Sequence, residues 1–208
     1  MELQIKYNFV DLDAALHIAR LTAEFADIIE IGSLLIYQEG LRAVSAFSEQ
    51  FPEKRLYIDA KITDQPEDAV KLYANAGATY ISVLAEAYPA IIKKACVTAL
   101  ECKVRIILDF INAHSLGQSA MDAKTLGAFG ILMHRENSYD TAVNPEEDLE
   151  QIRANTDLPI FIKGKICTSN LPSLARLKPH VIVVGDGITR ADDPKKEAAA
   201  LYKIIKAL

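Results

Sequence analysis

Asp59, Lys61 and Asp64 fall within six positions of one another, and this triplet is the densest concentration of acid–base groups in the chain. Alternation along a strand points the side chains of Asp59 and Lys61 to the same side. Acids flanking an amine keep it charged and aimed at one point, where it can deliver a proton to carbon or take one away. The same triplet also reads as a salt-bridge cluster closing the end of a fold. Buried ion pairs are weak evidence for stability, and perturbed charges gather at active sites. Further polar residues stand where apolar runs end. Glu30, in Ile-Glu-Ile-Gly, reads either as a structural acid or, with Asp59, as an oxygen-ligand pair for magnesium. His134 reads either as a satisfied interior histidine or as an acid–base group. Asn8 and Asp109 hold equivalent positions at the ends of other runs, whereas His17, His114 and His180 fall in helix or loop patterns and receive no role.

Two glycine-bearing turns complete the set, Lys163-Gly164-Lys165 and Gly185-Asp186-Gly187. Glycines let backbone N–H groups approach an anion closely, so these turns read as a phosphate cradle, with Lys165 as an added cation. Ordinary βα turns also favour glycine. Asp186 opposes a phosphate there unless it turns away or binds a sugar hydroxyl.

The elements that would position these groups alternate. Short runs rich in Ile, Val, Leu and aromatics recur at intervals of roughly 25 residues, at 3–9, 28–31, 56–59, 80–84, 104–108, 130–133, 160–162 and 181–184. Their near-continuous apolar character suits parallel strands buried on both faces. Helical patterns fill the gaps. Residues 11–24 place Leu12, Ala15, Leu16, Ala19 and Leu21 near one face, with Asp11 as N-cap. Residues 66–76 open on Pro66, Glu67 and Asp68 and stop at Gly77, and residues 192–206 carry Pro194 early and Lys203 and Lys206 late. Eight such units close into a (β/α)₈ TIM barrel or open into a doubly wound sheet. The first strand leads into Asn8-Phe9-Val10-Asp11 without a glycine, which disfavours a nucleotide-binding open sheet. A single barrel domain over residues 1–208 is therefore expected, with its chemistry at the C-terminal strand ends.

Composition narrows the partners. Half of the 208 residues are hydrophobic and a quarter are charged, the balance of a globular domain. The net charge of −5 and the lack of a recurring basic stripe argue against nucleic acid. Cys96, Cys102 and Cys167 are odd in number and lack CxxC spacing, which points to reduced thiols. No signal peptide or membrane-length apolar run stands out, so a cytoplasmic protein without membrane contact is expected.

With these residues in view, the sequence resembles the orotidine monophosphate decarboxylase suprafamily, and within it the 3-hexulose-6-phosphate synthase and 3-keto-L-gulonate-6-phosphate decarboxylase branch. The Asp-x-Lys-x-x-Asp motif of Asp59, Lys61 and Asp64 is the most specific match. Supporting segments are Asp27-Ile28-Ile29-Glu30-Ile31-Gly32, Asp109-Phe110-Ile111-Asn112 and Val184-Gly185-Asp186-Gly187-Ile188-Thr189. The resemblance implies a homodimer in which Asp64 reaches into the partner's site. It also implies magnesium held by Glu30 and Asp59, stabilising an enediolate of a sugar phosphate. The synthase joins formaldehyde to ribulose 5-phosphate, and the decarboxylase reaches a like enediolate by losing carbon dioxide. Glu30 stands where orotidine decarboxylation would require a lysine.

The chain departs from that pattern at the rim. Lys6 and Asn8 replace Ala-x-Asp, Gly164-Lys165 replaces Gly-Gly, Asp186 replaces a small residue, and Arg135-Glu136-Asn137-Ser138-Tyr139-Asp140 follows His134 in place of a glycine, an acid and glutamines. Three readings follow: a synthase, a divergent lyase on the same barrel, or a sugar-phosphate-binding protein without catalysis. Lys6 and Asn8, two apart, are both expected to face the interior. An unpaired ammonium there is costly, so Lys6 is expected to pair with Glu30 first and Asp59 next, competing with magnesium. The alternative places Lys6 lower in the barrel and leaves the metal site intact.

Overall fold

The computed structural model describes residues 1–111, 113–135 and 145–207. In it eight parallel strands close into a barrel in chain order. They are β1 (Glu2–Tyr7), β2 (Ile28–Ile31), β3 (Arg55–Ile62), β4 (Tyr80–Leu84), β5 (Arg105–Asp109), β6 (Gly130–Arg135), β7 (Ile160–Gly164) and β8 (Val181–Val184). The helices on the outside are α1 (Leu12–Thr22), α2 (Ser33–Glu39), α3 (Leu41–Gln50), α4 (Pro66–Asn75), α5 (Pro89–Glu101), α6 (Leu116–Leu126), α7 (Pro145–Arg153), α8 (Leu171–Arg176), α9 (Asp186–Thr189) and α10 (Pro194–Ala207). Among the described residues, no helix is long and apolar enough to cross a membrane.

Two-residue alternation decides what each strand buries and where. On β1, Leu3, Ile5 and Tyr7 join the core between sheet and helices, while Gln4 and Lys6 turn inward. The lower interior is apolar, built from Ile28, Tyr57, Tyr80, Ile107, Leu132 and Phe161 on six consecutive strands. Tyr57 and Tyr80 both stack near Phe161, at 6.3 and 6.0 Å between ring centroids. Two positions further along each strand the same face carries Glu30, Asp59, Ser82, Asp109, His134 and Lys163, all buried. The fold thus sets a polar layer directly above an apolar plug, at the C-terminal end where barrel chemistry is done.

Local signals account for most boundaries. Asp11 caps α1 by accepting from the Ala14 N–H at 2.7 Å. Leu12, Ala15, Leu16 and Ala19 are buried as expected, but Leu21 is exposed and Thr22 takes the inward place. At 100° per residue, Leu21 lies far around the helix from Ala19. Gly77 ends the turn after α4 at φ +105°, where an added Cβ would meet the Ser48 hydroxyl at 2.2 Å. The first strand stops at Tyr7 rather than 9, while the third runs on to Ile62 rather than stopping at 59. That extension is irregular: Ile58 pairs with Ile81 but Ile62 pairs with Val83, so β3 bulges between them.

Candidate active site

The bulge in β3 aims Lys61. Its backbone adopts φ +47°, a left-handed conformation unfavourable for a side chain with a Cβ, and its N–H is held by the Ser82 hydroxyl at 2.9 Å. The expected proximity of Asp59 and Lys61 is realised, although through this distortion rather than plain alternation. The Lys61 ammonium contacts Asp59 Oδ1 on one side and stands 3.6 Å from Asp109 Oδ2 on the other. Asp109 Oδ1 in turn lies 3.4 Å from His134 Nδ1 and accepts from the Ile111 N–H at 3.0 Å. A continuous polar line therefore crosses the barrel top from Asp59 through Lys61 and Asp109 to His134.

A second cluster lies beneath Asp59 and includes Lys163, which precedes the glycine-bearing turn and has no role in the sequence analysis. Lys163 Nζ donates to Glu30 Oε1 at 3.0 Å and to Asp59 Oδ2 at 3.4 Å, with its side chain 2% exposed. Lys6 Nζ stands 3.1 Å from Asp59 Oδ2 and 3.8 Å from Glu30 Oε1. Lys6 therefore pairs with the expected acids but in the reverse order. Glu30 is already held by Lys163 and by Gln4 Nε2 at 2.6 Å, which leaves Asp59 nearer to Lys6. Burial alone would raise the Asp59 carboxyl, but Lys163, Lys6 and Lys61 overcome it and hold Asp59 well below the usual carboxylate range. Burial would likewise lower Lys163, yet Glu30 and Asp59 hold it above an ordinary lysine. Below them, burial first and then the charges of Asp109, Asp59 and Glu30 keep the Tyr57 phenol neutral.

The fit of a divalent ion follows from these contacts. Each oxygen of the two acids proposed to hold it already faces a nitrogen: Glu30 Oε1 faces Lys163, Glu30 Oε2 faces Gln4, Asp59 Oδ1 faces Lys61, and Asp59 Oδ2 faces Lys6 and Lys163. An ion between Glu30 and Asp59 would have to sit against two ammonium groups. The expected magnesium pair is brought together, but its residues do not fit a divalent cation. Among the described residues, no group of three or more His, Cys, Asp and Glu side chains is arranged to hold a metal.

The cluster opens upward into a cleft of about 470 Å³ reached by Lys6, Asn8, Lys163, Lys165, Gly185 and Asp186. Asn8 does not share the interior with Lys6. Past the end of β1, its Oδ1 accepts from the Leu34 N–H at 3.1 Å and so satisfies a first-turn donor of α2. Gly32 makes room for it, since a Cβ there would lie 2.5 Å from that oxygen. Gly187 lets the turns after β7 and β8 approach, because a Cβ would lie 2.3 Å from the Ile166 carbonyl. Gly164 and Lys165 border the same cleft, with Lys165 exposed. Asp186 borders the cleft, but its exposed carboxylate pairs with Arg190, 3.3 Å from its Nε, which offsets its charge. Asp64 is exposed outside the buried cluster, and its Oδ1 accepts from the Gln65 N–H at 2.8 Å. Asn112 and the segment 136–140 lie outside the described residues.

Lys163 was legible by parity, since it stands two residues after the inward Phe161. Gln4 and Ser82 carry the same signal, a polar residue on an inward position of an apolar strand.

Comparison with known proteins agrees with this architecture. The chain is 31% identical over 209 residues to a 3-hexulose-6-phosphate synthase of Bacillus subtilis, covering 99% of both. It superposes on a 3-hexulose-6-phosphate synthase structure from Salmonella typhimurium with a TM-score of 0.94, at 28% identity over 100% of this chain and 99% of the other. A 3-keto-L-gulonate-6-phosphate decarboxylase from Vibrio cholerae superposes at 0.86, with 26% identity over 99% and 97%. These names describe carbon–carbon lyases. Residues 1–201 match the Orotidine 5'-phosphate decarboxylase / HUMPS family, and the chain belongs to that family.

Proposed function

We propose that this chain, a carbon–carbon lyase of its family, joins formaldehyde to a ketose phosphate in the manner of 3-hexulose-6-phosphate synthase. The observation that carries the proposal is the line Asp59–Lys61–Asp109–His134, joined at Asp59 to Lys6 and Lys163, which line a cleft that reaches the turns after β7 and β8. The ketose loses a proton from the carbon beside its carbonyl, and the electron pair becomes an enediolate. That carbon then attacks the aldehyde carbonyl, and the new alkoxide takes up a proton. His134 and Lys61 are the groups placed to move these protons, with Asp59 and Asp109 holding the Lys61 ammonium in line. The phosphate is assigned to the turns bearing Gly164, Lys165, Gly185 and Gly187, which line the cleft and where glycine lets the backbone approach an anion beside the Lys165 ammonium. The pairing of Asp186 with Arg190 supports this assignment, since it offsets the carboxylate's charge.

The exposed position of Asp64 supports a homodimer in which that residue serves the partner's site. The second reading is decarboxylation of a carboxylated sugar phosphate. The ammonium groups of Lys6 and Lys163 at the cleft floor favour it, since they suit a second anion. Incubation with ribulose 5-phosphate and formaldehyde, following formaldehyde consumption, tests the first reading. Carbon dioxide release from 3-keto-L-gulonate 6-phosphate tests the second. Inactivity in both, with folded protein at high concentration, refutes catalysis of this class.

A further inference from the structure

We propose that Lys6 and Lys163 together take the place of a divalent cation, so that substrate oxyanions meet two fixed ammonium groups and the site works without a metal. The proposal rests on reading the cleft as a sugar-phosphate site. It goes beyond that reading in assigning the electrophile.

Charge is the first argument. The buried acids Glu30, Asp59 and Asp109 supply three negative charges, and Lys61 returns one. The deficit is two, the charge of one divalent ion or of one pair of lysines. Lys6 and Lys163 supply it, within 3.0–3.8 Å of Glu30 and Asp59. A divalent ion added to that set would leave two positive charges in excess, in a site where charge is poorly screened.

Geometry is the second argument. The two ammonium groups occupy the space between the carboxylates of strands β2 and β3, where a shared ion would sit. Both also border the cleft, so they face a bound ligand as well as the acids behind them. Neither is a surface lysine that has drifted inward: the Lys163 side chain is 2% exposed and that of Lys6 is 9% exposed. An ammonium differs from a metal ion in carrying N–H donors. It can therefore hydrogen-bond an oxyanion directly, in the charge-assisted manner that makes such contacts short and strong.

The test begins with manganese titrated into the intact wild-type protein, free ion being followed by paramagnetic resonance. No site tighter than about 1 mM, the weak end of natural oxygen-ligand sites, is expected. A stoichiometric site tighter than that, abolished by Glu30→Gln, overturns the proposal. Lys6→Met, Lys163→Met and the double variant are then titrated after circular dichroism confirms that they are folded. Affinity for manganese is expected to rise stepwise as one and then two positive charges are removed. Folded variants that gain no affinity overturn the claim that the lysines exclude the ion. The wild-type titration decides alone if the variants do not fold.

Calorimetry with ribulose 5-phosphate provides the second arm. Wild-type affinity is expected to be unchanged by a chelator and weakened at least ~10-fold in Lys163→Met, the loss typical of a hydrogen bond to a charged group. Binding that requires added magnesium overturns the proposal. Absence of sugar-phosphate binding together with absence of a manganese site counts against the proposed function while upholding the cation assignment.

Discussion

Lys163→Met removes one charge from the cluster and keeps most of the side-chain stem. In the wild type, its ammonium lies 3.0 Å from Glu30 Oε1 and 3.4 Å from Asp59 Oδ2. At an effective dielectric constant near 20, unit charges at such distances attract by roughly 5 kcal/mol. Desolvating the amine takes back several kcal/mol, so the raw attraction is not the net effect. Lys6 remains beside both acids, and Gln4 remains on Glu30, so neither carboxylate is left bare. The expected destabilisation is therefore about 3 kcal/mol, the low end for breaking a buried pair. Urea unfolding at neutral pH, monitored by circular dichroism and tyrosine fluorescence together, measures it. Glu30→Gln alone and the double variant close a cycle. The double variant is expected to be more stable than the sum of singles predicts by at least about 1 kcal/mol, because the two charges leave together. Additivity within about 0.5 kcal/mol refutes the pairing. The pH dependence provides a second check. Asp59 is depressed when folded, so its contribution is present above the ordinary carboxylate value and lost as pH falls through the lower folded value. Lys163 is raised when folded, so its contribution is present below the ordinary lysine value and lost as pH rises through the higher folded one. The stability gap between wild type and variant should then stay level from about pH 5 to pH 9 and narrow outside that window.

Other perturbations test separate parts of the site. Lys61→Ala should lower turnover by more than ~10²-fold, the scale of general acid–base contributions, and near-normal turnover would remove Lys61 from the chemistry. Mixing inactive Asp64→Asn and Lys61→Ala subunits should restore part of the activity if sites are shared in a homodimer, while a fully active monomer on gel filtration counters it. Ribulose should bind far more weakly than ribulose 5-phosphate by calorimetry, and equal affinity would remove the phosphate site. Hydrogen bonding from Ser169 lowers the Cys167 thiol, whereas burial pushes Cys96 up to about 12. Iodoacetamide at mildly alkaline pH should therefore label Cys167 long before Cys96 by peptide mapping, and inorganic phosphate should slow that labelling if it seats beside Cys167.

The barrel is legible because its strands are short apolar runs separated by helical patterns of helix length. Five C-terminal strand ends differ from the apolar runs by one to three residues, the largest difference being at β3. No apolar pattern marks that extension, since Ala60, Lys61 and Ile62 are carried by a bulge and by one hydroxyl of a neighbouring strand. The positions of Asp59, Lys61, Asp109, His134 and Glu30 at strand ends are legible in the sequence, and the structure gathers them into one polar group, buried except for the half-buried Lys61. Alternation puts Asn8 in the interior only if β1 continues past Tyr7. The strand ends at Tyr7, and beyond it the first-turn donor of α2 decides the side chain's direction.

Lys163 shows what a fuller reading of the same sequence would have required. With Lys6 alone set against Glu30, Asp59 and Asp109, and Lys61 already counted, the interior would keep one uncompensated negative charge. An uncompensated buried charge is too costly to leave without a partner. The inward positions then have to supply another cation, and inward parity on β7 runs from Phe161 to Lys163. Charge summed over inward positions is thus a stronger signal than any single strand-end residue. In this chain the charges of Glu30, Asp59, Asp109, Lys61, Lys6 and Lys163 sum to zero, so a cation read at one inward position obliges the reader to look for its fellow on another strand.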